Sequence, residues 1–125
     1  ISSAASDVYK RQVPTVMDWN ILFNYLGGDT IASKHLKEMG SLHWDTPYNV
    51  DKADNSSGFT ALPGGFRYLS NNFNFIGLYG DWWTSSEYNS TSAGFLYLFC
   101  WDSGVYKGVN YKTNGYSIRL IKENN

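Results

Sequence analysis

Gly94-Phe95-Leu96-Tyr97-Leu98-Phe99-Cys100-Trp101 is the stretch that decides the fold class. Successive side chains of a strand point to opposite faces. One parity holds Gly94, Leu96, Leu98 and Cys100, which are small or aliphatic and suit a core. The other holds Phe95, Tyr97, Phe99 and Trp101, four aromatic residues in a row. Asp102-Ser103-Gly104 then reads as a turn, followed by a strand near Val105–Val109. Working outward, further strands are expected near Phe66–Leu69, Ile76–Tyr79, Trp82–Ser86 and Tyr116–Lys122. Turns are expected at Gly80-Asp81 and Thr113-Asn114-Gly115.

The N-terminal part reads as helical. Thr15 is a candidate cap, Asp18 suits the positive end of the helix, and Val16, Trp19, Leu22, Phe23 and Leu26 share one face. Gly27-Gly28 stops this helix, because glycine tolerates the left-handed cap conformation. A second short helix is expected from Asp29 or Thr30 to about Met39, ended by Gly40. Ser41 to Gly58 is loop chemistry. Two helices followed by an antiparallel sheet make the domain α+β. Trp19, Leu22, Phe23, Leu62, Trp82, Trp83, Leu98 and Ile118 are expected to form one core.

Composition narrows the function classes. Of 125 residues, 5 are Trp, 10 Tyr and 7 Phe, whereas charged residues make up only 17%. Such a chain has apolar surface to bury, which argues against disorder. Ten Lys and Arg balance eleven Asp and Glu, with no basic run, so nucleic acid is not an expected partner. The longest apolar run, Phe95 to Trp101, is far below the ~20 residues of a membrane span. The single cysteine, Cys100, excludes an internal disulfide framework and a four-cysteine zinc site.

Residues 2–12, SSAASDVYKRQ, resemble the conceptual translation of a transposase adaptor used in sequencing libraries. That resemblance implies a metagenomic reading frame, with residues 1–12 foreign to the domain and 13–125 its native part. Beyond that segment, four motifs resemble the Fibrobacter succinogenes major paralogous domain, in the family's order. They are Val13-Pro14-Thr15 with Trp19 and Leu26-Gly27-Gly28; Ser57-Gly58-Phe59 with Ala61-Leu62-Pro63-Gly64-Gly65-Phe66-Arg67; Trp82-Trp83-Thr84-Ser85-Ser86-Glu87-Tyr88; and Asn114-Gly115-Tyr116-Ser117-Ile118-Arg119. The resemblance implies a C-type-lectin-like fold, with two helices packed on a twisted antiparallel sheet bearing long irregular loops. It also implies an exported or surface bacterial protein, of which this domain is one part.

Catalytic and metal signals are sparse. His35 and His43, with Glu38 and Asp45 nearby, lack metal-ligand spacing, and His35 is expected on the exposed face of the second helix. Asp45, Asp51 and Asp54 crowd one loop without the EF-hand pattern. The Glu-Pro-Asn, Gln-Pro-Asp and Trp-Asn-Asp strings of sugar-binding C-type lectins are absent, so no cofactor is expected, although a structural calcium on that loop stays open. Formylglycine-generating enzymes share the broad architecture but use a cysteine pair; Cys100 stands alone. No Gly-x-Ser-x-Gly elbow surrounds a serine. Glu87 and Asp102 can be nominated as a glycosidase pair, but nothing specific points to them, and an enzyme is not expected. Glu87 is expected to bridge to Arg67, Arg119 or both, because charges among aromatics must be paired.

The aromatic parity carries the functional expectation. Rigid apolar area with polar tips is the composition of a binding surface, and contiguous exposed apolar patches are rare without a partner. The expected site is Phe95, Tyr97, Phe99, Trp101, Asp102, Tyr106, Asn110 and Tyr111, taking a glycan or protein ligand. The segment Trp82–Arg119 is also similar to diversified targets of diversity-generating retroelements. The positions that match are the eight just named together with Gly104, Gly108 and Val109. Adenine mutagenesis of AAC codons yields codons ending in C, which every one of these residues has except Trp101. A structural module docking its aromatic face on a neighbouring domain, and a carbohydrate-active enzyme, are the competing readings.

Overall fold

The computed structural model describes residues 10–45, 53–68 and 71–122. In chain order its elements are β1 (Arg11–Gln12), α1 (Val16–Tyr25), α2 (Ala32–Leu36), β2 (Phe66–Arg67), β3 (Phe73–Asn74), β4 (Tyr79–Glu87), β5 (Ser92–Phe99), β6 (Val105–Tyr111) and β7 (Ile121–Lys122). The architecture is α+β, as expected. Helix α1 begins with a reciprocal capping box. The Asp18 amide donates to Thr15 Oγ1 at 3.1 Å, and the Thr15 amide donates to Asp18 Oδ2 at 2.9 Å. Gly27 and Gly28, both at φ +103, end it.

Helix α2 is shorter than expected. The chain turns extended at Lys37, with ψ 145, and pairs in parallel with Ala61. The Ala61 amide donates to Leu36 O at 2.8 Å, and the Glu38 amide donates to Ala61 O at 3.1 Å. These non-local bonds replace the last helical turn that Glu38 and Met39 would otherwise make.

The main sheet is antiparallel in the order β4-β5-β6. Its register pairs Gly80 with Leu98 and Trp82 with Leu96, and then Leu98 with Val105. Cross-strand partners share a face, so Trp82, Leu96, Leu98 and Val105 bury together with Trp19, Phe23, Leu36, Trp44, Ala61 and Cys100. The expected core is therefore met at Trp19, Phe23, Trp82 and Leu98. Leu22 and Trp83 are half-buried, while Leu62 and Ile118 are 45% and 58% exposed. Leu62 and Ile118 lie in irregular stretches, where strand or helical phase gives no guide to direction.

Gly80-Asp81, expected as a turn, lies inside β4. The stretch expected as a strand at Ile76–Tyr79 is a turn up to Leu78; β3 precedes it and pairs with β2. Gly65 permits that approach. It sits at φ +63, and a Cβ there would collide with the Asn74 carbonyl. Leu69 of the expected Phe66–Leu69 strand lies outside the described residues. Of the expected final strand, only Ile121–Lys122 is regular, although Ser117 bridges in parallel to Trp82.

The last two residues of the adaptor-like segment pair with the C-terminal strand, Arg11 with Lys122 and Gln12 with Ile121. All four are exposed. Deleting residues 1–12 should therefore lower stability by about 1 kcal/mol or less, the scale of one net hydrogen bond. Urea unfolding of the shortened chain checks this. A much larger loss would mean that Arg11 and Gln12 serve as the domain's own first strand.

Candidate functional site

The face of the sheet turned away from the core is aromatic. Its rows follow from the register. Trp83, Phe95 and Gly108 form one row, Asp81, Tyr97 and Tyr106 the next, and Tyr79 with Phe99 a third. Phe95 and Tyr97 stack at 5.4 Å, Tyr97 and Tyr106 at 5.3 Å, and Phe99 and Trp101 at 4.8 Å. Trp101 lies in the turn after β5, yet its ring stacks 13° from that of Phe99 and so extends the same face. Gly108 makes room for Phe95, whose ring would lie 2.9 Å from a Cβ there.

Phe95, Tyr97 and Phe99 are half-buried, and Trp101 and Tyr106 are 39% and 37% exposed. The ladder thus keeps ring surface open to solvent. Asp102 organises its end: Oδ1 accepts from the Gly104 amide at 3.1 Å, and Oδ2 accepts from the Tyr106 hydroxyl at 2.6 Å. That acceptor pushes the Tyr106 phenol pKa up, with burial adding to it. Asn110 is engaged as well, donating from Nδ2 to the Tyr116 hydroxyl at 3.0 Å and accepting the Tyr111 amide at 2.9 Å. Tyr111 is the expected site residue that does not join. It pairs with Ser92 on the opposite parity of β6, so strand alternation places it on the other face.

A cleft of about 310 Å³ opens on this face. Phe66, Tyr79, Phe95, Tyr97, Phe99 and Tyr116 wall it, and Asp81 and Asn110 supply polar groups. Of these, Phe66, Tyr79, Asp81 and Tyr116 come from outside the expected site. Asp81 is only 3% exposed, and its Oδ2 is buried with no hydrogen-bond partner among the described residues. Burial pushes its pKa up to about 7. The sequence signal for it was a lone carboxylate between Gly80 and the Trp82-Trp83 pair. Gly-Asp is also turn chemistry, and that reading hid it.

Lys37 holds the turn that carries Trp101. It is fully buried, with Nζ donating to Phe99 O at 2.7 Å and to Asp102 O at 2.8 Å. The ammonium also lies 5.2 Å from the centre of the Trp44 ring. On the other side of the turn, the Val105 amide donates to Asp29 O at 2.7 Å and the Ser33 amide to Ser103 O at 3.1 Å. The connection between α1 and α2 thus fixes the edge of the aromatic face.

The remaining candidate groups do not converge on it. Glu87 pairs with Lys112 rather than with Arg67 or Arg119. Arg67 instead donates to Thr113 O at 3.2 Å, and the Arg119 guanidinium lies 4.1 Å from the Phe59 ring centre. Aromatic faces and carbonyls compensate these cations where a carboxylate was expected. Glu87 stands beside Ala93 at one end of β5, and Asp102 follows the other end. The strand between Ala93 and Phe99 spans about 20 Å at ~3.3 Å per residue, so the two carboxylates stand at opposite ends of β5 rather than at the roughly 5–10 Å of a glycosidase pair.

His35 is partly buried rather than on an open helix face, because the loop at Asp54 folds over it. Its Nδ1 lies 3.0 Å from Asp54 Oδ1 and 2.8 Å from Ser56 Oγ. A serine-protease relay uses both ring nitrogens, one toward serine and one toward aspartate. Here both contacts meet on one nitrogen. The Ser56 backbone amide, followed by His35, holds the Asp54 carboxyl well below the usual range. His43 pairs with Glu38 at 2.9 Å. Among the described residues, no group of three His, Cys, Asp or Glu side chains is placed to hold a metal ion. Asp51, part of the expected calcium loop, lies outside the described residues. Cys100, just after β5, is buried and free, as its parity with Leu96 and Leu98 implies. No helix among the described residues is long and apolar enough to cross a membrane.

Fold and site together define a small α+β domain that displays a ladder of aromatic rings on one sheet face. The chain matches the family model of the Fibrobacter succinogenes major domain over residues 12–122. It belongs to that family. Comparison with curated proteins and with solved structures finds no significant match.

Proposed function

We propose that the domain is a non-catalytic binding module of an exported or surface-displayed bacterial protein, taking its ligand on the aromatic face of β4, β5 and β6. The observation that supports this most is the ladder from Phe95 through Tyr97 and Tyr106 to Phe99 and Trp101, stacked yet open to solvent at Tyr106 and Trp101. Rings fixed in this way offer contact area at little entropic cost. A cleft lined by aromatics with a few polar groups is the usual form of a ligand site. The two helices beside a twisted antiparallel sheet accord with a C-type-lectin-like fold, and export follows from the family resemblance. The ligand class is a glycan or a protein. Diversification by a retroelement is part of the reading, and the intact gene's neighbours test it by the presence or absence of a reverse transcriptase.

Large aromatic side chains, tryptophan above all, supply most hot spots. Trp101→Ala should weaken ligand binding by on the order of 2 kcal/mol, the usual hot-spot scale. Its effect on folding should be smaller, because the ring is 39% exposed. A screen on glycan arrays and immobilised cell-wall and protein fractions supplies the ligand, and the thermal midpoint supplies the stability control. If Tyr97→Ala and Trp101→Ala both unfold the domain, the face is core. A structural module then replaces the binding module.

A further inference from the structure

The aromatic cleft is lined by the Asp81 carboxyl, whose Oδ2 has no hydrogen-bond partner among the described residues. We propose that it takes an organic cation bearing N–H donors, as at the tip of a lysine or arginine side chain of a partner protein, with Asp81 as the counter-ion. This rests on the binding-module reading and names the chemistry of that same site.

Asp81 lines the cleft, is 3% exposed, and leaves Oδ2 buried without a hydrogen bond among the described residues. An ionised carboxylate in such a place is strongly disfavoured unless a cation joins it. An N–H cation supplies both the opposite charge and the missing hydrogen bond. The walls suit it too, because the face of an aromatic ring attracts positive charge. Two pairs of walls cross, by 87° between Phe66 and Tyr79 and by 79° between Tyr97 and Phe99, while Phe95 lies within 20° of Tyr97 and 23° of Tyr116. The crossed pairs leave a slot for a narrow apolar stem with a charged tip. A sugar would present hydroxyls around its whole rim. Yet the Asn110 amide is already committed to the Tyr116 hydroxyl and the Tyr111 amide.

The titratable groups that line the cleft with Asp81 are phenols: Tyr79 from β4, Tyr97 from β5, Tyr68 beyond β2 and Tyr116 after β6. Burial pushes Tyr79 and Tyr116 up, so neither supplies a charge near neutrality. No described lining residue is cationic. Since burial also raises Asp81 to about 7, an arriving cation draws the carboxyl into its ionised form and releases a proton. Affinity should therefore rise from pH 6 to pH 8.

The experiment is an NMR titration of the whole chain with small probes. These are Nα-acetyl-lysine methylamide, its arginine counterpart, the neutral Nε-acetyl derivative, tetramethylammonium, glucosamine and N-acetylglucosamine oligomers. The lysine or arginine probe should shift the Tyr97 and Tyr116 ring signals. It should bind several-fold tighter at pH 8 than at pH 6, at least tenfold tighter than the Nε-acetyl form, and more tightly than tetramethylammonium, which has no N–H. Asp81→Asn should lose at least tenfold in affinity while its spectrum stays folded. Tyr97→Leu, which keeps the carboxyl and removes a wall, should also weaken binding. Equal binding of the neutral and charged lysine probes, or unchanged affinity in Asp81→Asn, overturns the proposal. Glucosamine binding tighter than the lysine and arginine probes overturns the protein side chain as the source. If only the neutral oligomers bind, and Tyr97→Leu removes them, the binding module stands and the cation does not. If no probe binds, the cation proposal falls, and the ligand screen alone decides the module.

Discussion

At pH 8, Asp81→Asn should raise the unfolding free energy of the ligand-free domain by on the order of 4 kcal/mol, because burial holds this carboxyl near 7 rather than 3.8. A group whose pKa is raised on folding binds its proton more tightly in the native state than in the unfolded chain. Its neutral form therefore fits the fold, and stability is fully present below about 3.8. That stability is lost as pH rises through about 7. Asparagine reproduces the neutral form. The difference between the two proteins should be near zero at pH 4, grow through pH 5–7 and level off above that. Urea unfolding across the pH series measures it, and taking the difference cancels every other titrating group. If the two curves run parallel at all pH values, Asp81 is not the source of strain, and the carboxyl is better solvated than its 3% exposure implies.

Lys37→Met should have the opposite sign and a comparable size. The ammonium donates to Phe99 O and Asp102 O inside the protein. Methionine fills similar space but leaves both carbonyls without that donor. Leaving a buried polar group unsatisfied costs ~1–3 kcal/mol. A loss of about 3 kcal/mol is expected, measurable by chemical denaturation. The turn from Phe99 to Asp102 carries Trp101, so the loss should come with weaker ligand binding. Trp101→Ala should show the reverse proportion, with binding lost and stability nearly kept. A Lys37→Met protein as stable as the wild type would mean that the turn is held from the Asp29 side alone.

Much of the fold was legible where a residue's direction follows from a local period. The alternation in Gly94–Trp101 sorted Leu96, Leu98 and Cys100 into the core and Phe95, Tyr97 and Phe99 onto the other face, and the structure agrees. Capping chemistry at Thr15 and Asp18 located the start of α1. The reading failed where long-range pairing overrode local preference. Lys37 left its helix for Ala61, Gly80-Asp81 entered a strand rather than a turn, and Glu87 found Lys112 instead of an arginine.

Capping, turn chemistry and strand alternation are set within a few residues, so the α+β class, the family motifs and the two-faced character of the central strand can be read along the chain. What the aromatic face encloses depends instead on long-range pairing. Asp81 and Tyr97 lie sixteen positions apart in the chain, and Phe66 and Tyr116 fifty, yet sheet register and the return of the C-terminal segment gather all four around one cleft. Whether a carboxyl meets water, a cation or aromatic rings depends on which strands pair beside it, and no local pattern in the chain encodes that.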